Sequence, residues 1–106
     1  MPYSKLLTQI IDKSGLTIKE IAGRCKQSNV NITPAYISIL KNSDEKTPSD
    51  EVSRALAIAC GAEHKEALVV EAYLDKAPQE ILNFLEEYRK MVMQSLLISF
   101  HQMKSV

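Results

Sequence analysis

Two helix starts and the short polar connection between them constrain this chain most. Thr17 is followed three residues later by Glu20, the spacing at which a hydroxyl and a carboxylate can close a capping box over the first turn of a helix. Ile18, Ile21, Ala22 and Cys25 then recur at helical spacing and predict one buried face. The second start is sharper. Thr33 can cap, Pro34 suits the first helical position because its missing N–H is not needed there, and Ile37 and Leu40 fall on one stripe of a helix ending near Asn42. Helices this short cannot bury enough surface alone. The chain before and after must pack on them.

The flanking segments read as helices too. Ser4 can cap a first helix reaching about Ser14, with Leu6, Leu7, Ile10 and Ile11 facing inward and Gly15 as its stop. A polar, charged loop from Ser43 to Thr47 leads to Pro48, with Ser49 and Asp50 in the first turn of a fourth helix. Its apolar set is Val52, Ala55, Leu56, Ile58 and Ala59, and Gly61 stops it just after Cys60. A fifth helix is predicted over roughly Glu63 to Asp75, with Leu68, Val69, Ala72 and Tyr73 toward the core. Only three glycines and no tryptophan argue against an all-β chain. The expected fold class is therefore all-α.

Pro78 can open a sixth helix, and from Gln79 to about Met103 neither glycine nor proline interrupts it. Ile81, Phe84, Leu85, Tyr88, Met91, Val92 and Leu96 form one stripe, and Leu82, Met93, Leu97 and Phe100 a second. From Met91 onward the segment is apolar on most sides, so something must cover it. A second copy of the same helix is the expected cover, which predicts a homodimer with Tyr88, Val92, Leu96, Leu97 and Phe100 at its interface. The alternative is a helix folded back over its own domain. Met91 to Phe100 is about half the length that spans a bilayer, and the helix lacks the basic polar face of a membrane-surface helix. No membrane partner is expected. Met1 to Gln9 lacks a basic start followed by an apolar run, so a cytoplasmic location is expected.

Charge adds a modest asymmetry. The chain is 25% charged with a formal net charge of zero, but residues 1–49 carry seven Lys/Arg against four acids (+3) and residues 50–106 six against nine (−3). That suits a nucleic-acid-facing front and a protein-facing back. Cys25 and Cys60 sit in apolar helical patterns without a CxxC spacing and read as small buried hydrophobes in a reducing compartment. His64 and His101 have no ligand-spaced partners. No nucleophile–base arrangement and no glycine-rich phosphate loop is present, so neither an enzyme nor a metal or other cofactor is expected.

A short helix, a bend and an exposed second short helix fit a DNA major groove. Leu16-Thr17-Ile18-Lys19-Glu20-Ile21-Ala22, Tyr36-Ile37-Ser38-Ile39-Leu40-Lys41-Asn42, Pro48-Ser49 and Ala57-Ile58-Ala59-Cys60-Gly61 resemble the Cro/C1-type helix-turn-helix family of phage-repressor-like regulators, over about residues 4–75. The resemblance implies a five-helix repressor-like helix-turn-helix domain in residues 1–76, and the apolar sixth segment makes residues 77–106 a C-terminal helix for dimerisation. The resemblance makes the third helix the recognition helix, with Thr33, Pro34, Ala35 and Tyr36 at its groove-entering end and Ile39 one turn on. Thr17, Lys19, Ser38, Lys41 and Asn42 match positions near phosphates, and Ile37 and Leu40 match core positions. Asn31 in the turn and Lys46 in the following loop are further candidate DNA contacts.

Three departures from the family pattern stand out. The turn is about five residues longer, Ser28 to Ile32, and Val30 or Ile32 is expected to tuck into the core. Ile18 stands where the family often has a glutamine that grips the backbone. The leading end of the third helix lacks the Arg, Gln or Asn side chains that read bases bidentately, so specificity would draw on the turn, dimer spacing or DNA shape. The implied function is a bacterial or phage-encoded, sequence-specific DNA-binding transcriptional regulator, a repressor by family default, acting as a homodimer on a palindromic operator. The alternative is a protein-interaction module that keeps the fold and binds another regulatory protein through its last helix.

Overall fold

The computed structural model describes residues 2–44 and 46–104, with residues 97–104 described by their backbone only. Among the described residues there are six α-helices and no strand: α1 Tyr3–Ser14, α2 Ile18–Gln27, α3 Pro34–Asn42, α4 Asp50–Ala59, α5 Ala67–Lys76 and α6 Gln79–Lys104. They fall into two compact units, Met1–Lys76 and Ala77–Val106.

In the first unit α1 packs on α3 and α5, α2 on α3 and α4, and α4 on α5. The core is built from Tyr3, Leu7, Ile11, Ile21, Cys25, Ile37, Leu40, Leu56 and Leu68, all but sealed from solvent. α1 starts earlier than expected. Pro2, not Ser4, occupies the N-cap, and Tyr3 opens the helix. The inward row is therefore Tyr3, Leu7 and Ile11 at steps of four, while Leu6 and Ile10 are only half-buried at its border. Ser4 is buried, and its hydroxyl donates to Asp44 Oδ1. The Tyr3 N–H donates to Asp75 Oδ2 at 2.7 Å, so both ends of the unit are tied together. Burial pushes the Tyr3 phenol up to about 12.

The capping box of α2 forms as its residues suggest, and Ile21, Ala22 and Cys25 are buried. Ile18 at the first helical position is only half-buried. The long connection to α3 is ordered by its own backbone. Asn29 takes the left-handed conformation at φ 64°; its N–H donates to the Lys26 carbonyl and that of Val30 to the Cys25 carbonyl, each at 3.0 Å. This is the paired closure usually given to glycine, and asparagine is among the few other residues that adopt it readily. Val30 and Ile32 both pack on the core.

α4 is capped by Ser49, whose hydroxyl accepts from the Val52 N–H at 3.3 Å, and it ends at Gly61 with φ 66°. Two inward assignments fail. Ile58 is 53% exposed while its neighbour Ala57 is fully buried, because the buried face is set by Ser53, Leu56, Ala57 and Cys60. Tyr73 is 62% exposed and donates its hydroxyl to Asp50 Oδ2 at 3.0 Å, spanning α4 and α5 from outside. α5 also begins at Ala67 rather than near Glu63. Glu66, just before it, pairs with Arg54 at 3.0 Å.

The second unit is α6. Ile81, Phe84, Leu85, Tyr88, Met91, Val92, Met93 and Leu96 are all exposed, Phe84 most of all at 65%. The Phe84 and Tyr88 rings stack with centroids 6.4 Å apart, and Lys90 reaches Glu87 at 3.7 Å on the charged side. Leu97 and Phe100, expected at an interface, lie outside the residues whose side chains are described. No helix among the described residues is long and apolar enough to cross a membrane.

Candidate functional site

α2, its connection and α3 carry most of the candidate residues. At the start of α2, Thr17 Oγ1 accepts from the Glu20 N–H at 3.1 Å, and the Thr17 N–H donates to Glu20 Oε1 at 3.2 Å. That N–H holds the Glu20 carboxyl below its usual range and turns its charge back onto the helix start. At the start of α3, Thr33 Oγ1 accepts from the Tyr36 N–H at 3.0 Å, and Pro34 supplies the first helical φ.

Thr17, Lys19, Asn31, Thr33, Pro34, Ala35, Asn42 and Lys46 are exposed, and Ile39 is 47% exposed. Tyr36, Ser38 and Lys41 are half-buried, Tyr36 because its ring leans on the core. Ile37 and Leu40 are fully buried and fix the other face of α3. Ala35, Ile39 and Asn42 therefore form its outward row. α3 contains no acidic residue and carries Lys41 in its last turn.

A groove of about 470 Å³ runs beside the start of α3, walled by α2 and the long connection. Lys19, Gly23 and Lys26 lie on its α2 side, and Asn31, Thr33 and Pro34 on the other. Gly23 and Lys26 are not sequence candidates: nothing in the spacing of α2 marks its outward face until the connection is seen to fold beside it. Lys46 belongs to the loop before α4 and does not join this wall. Lys41 instead lines a second cleft with Lys5, Thr8 and Gln9 of α1.

Elsewhere the chemistry is quiet. Cys25 and Cys60 are free, buried thiols. Burial pushes both up, Cys60 to about 11, which leaves them protonated and unreactive at neutral pH. Among the described residues no three His, Cys, Asp or Glu side chains group as metal ligands do. A shallow cleft of about 340 Å³ between α1 and the turn after α4 accounts for the partial burial of Leu6 and Ile10. No family model, curated protein or solved structure matches the chain.

Proposed function

We propose that the chain is a sequence-specific DNA-binding transcriptional regulator, with α1–α5 as a repressor-like helix-turn-helix domain and α6 as the arm that pairs two copies. The observation that carries this reading is α3 itself. One face is pinned into the core by Ile37 and Leu40, while the opposite row of Ala35, Ile39 and Asn42 is left to solvent without an acid on the helix. An aliphatic side chain such as Ile39 held outward suits a thymine methyl, and Thr33 and Tyr36 offer hydroxyls at the leading end. Lys19, Lys26 and Lys41 flank it with positive charge for the phosphates.

In this reading the homodimer sets two α3 helices into successive major grooves of a palindrome, with half-sites about 34 Å apart. Repression follows from occluding polymerase, and the protein works in a bacterial or phage-infected cytoplasm. Selection of bound sequences from random DNA tests it. A shared palindromic site supports the reading, and failure to enrich any sequence at low salt refutes it.

A second reading has its own support. Phe84, Tyr88 and Met91 leave more than half of their surface exposed on α6, and the chain as a whole is neutral. A module that docks another regulatory protein through α6 would also look like this. Sedimentation of the isolated chain separates the two: a stable dimer at micromolar concentration favours self-pairing, a monomer favours a foreign partner.

A further inference from the structure

We infer that the groove between α2 and the long α2–α3 connection is a second anchoring site for the phosphodiester backbone of DNA, lateral to the recognition helix; this rests on the DNA-binding reading above. Lys19, Ala22, Gly23 and Lys26 sit at steps of three and four and share one face of α2. The two lysines lie roughly 10 Å apart along the helix axis, with flexible side chains able to reach separate phosphates of one DNA strand. Among the described residues no acidic side chain lines the groove. Glu20, the acid nearest in sequence, is held instead by the Thr17 capping box.

Gly23 is the telling residue. Glycine inside a helix is unfavourable, and packing does not require it here, since a Cβ at this position would meet nothing within 4 Å. The open space lies midway between the two lysines, where a bare backbone lets a ligand approach closely. The opposite wall is equally defined. The hydrogen bonds of Asn29 and Val30, with Val30 and Ile32 anchored on the core, fix Asn31 at the rim, where its side-chain amide can donate to a phosphate oxygen. Thr33 and Pro34 make the groove continuous with the leading end of α3. The five-residue extension thus adds backbone grip beside a helix with few base-reading side chains.

The test measures affinity against salt for the full chain and for Lys26→Ala, Lys26→Arg and Gly23→Glu, on the selected site and on a scrambled duplex. Thermal melts confirm that each variant is folded. Lys26→Ala is expected to weaken both DNAs by a similar factor and to lower the salt slope by about one, while Lys26→Arg keeps the slope. Gly23→Glu is expected to weaken both at least tenfold. Steep wild-type binding that neither Lys26→Ala nor Gly23→Glu alters overturns the groove and leaves the DNA reading standing. Absence of wild-type DNA binding at low salt overturns both. Capture of a polyglutamate peptide that Lys26→Ala abolishes, with DNA affinity untouched, assigns the groove to an acidic peptide and overturns the inference.

Discussion

The hydroxyls of Tyr3 and Ser53 share a hydrogen bond of 2.9 Å inside the core, joining the first turn of α1 to α4. Among the described residues each hydroxyl is the other's partner, so removing one strands a buried hydroxyl. Tyr3→Phe and Ser53→Ala should each cost about 1–2 kcal/mol in urea denaturation. The double variant should lose less than the sum of the two. Additive losses would show that the pair does not interact.

The same tyrosine gives a pH dependence. The Tyr3 phenol is raised from 10.0 to about 12 by burial, so the folded state holds its proton after the unfolded chain has lost it. Its contribution to stability is whole below pH 10 and declines as pH rises toward 12, by up to about 1.4 kcal/mol per unit. Unfolding curves from pH 9 to 11.5 should therefore fall more steeply for wild type than for Tyr3→Phe. Equal slopes would contradict the burial of the phenol.

Asn29 should tolerate glycine and resist a Cβ-bearing side chain without a local hydrogen-bonding group. At φ 64°, Asn29→Gly should leave the melting temperature unchanged or slightly raised, while Asn29→Ala should cost roughly 1–2 kcal/mol. If alanine melts with wild type, the turn does not depend on the left-handed residue.

On α6, Tyr88 and Val92 lie one turn apart in the exposed stripe. Replacing both by Asp should convert a dimer to a monomer in sedimentation, with the thermal transition of the α1–α5 unit retained. An unchanged mass would place the contact elsewhere.

Much of the fold is legible in the chain because its signals are local. Thr17 with Glu20, Thr33 with Pro34, Ser49, Gly15 and Gly61 each mark a helix end through backbone chemistry that the residue itself dictates. What misleads is information held by other elements. Tyr3 lies before the expected cap, and it is inside because its ring joins the core of the unit, with its hydroxyl bonded to Ser53. Ile58 and Tyr73 carry apolar bulk at plausible spacing, yet α4 buries alanines and Ser53, and α5 buries Leu68, Val69 and Ala72, so these two larger side chains remain outside. The α3 face can be read from two core positions, Ile37 and Leu40. The groove at Gly23 cannot, because its second wall is a connection whose path depends on one left-handed asparagine.

The proposed DNA-binding face of α2 and α3 stands or falls on the salt dependence of wild-type affinity for duplex DNA recovered by selection. Log affinity is expected to fall linearly with log salt, with a slope corresponding to several phosphate contacts, and the selected site to be bound more tightly than a scrambled one. No measurable binding to either duplex at low salt would overturn the proposal.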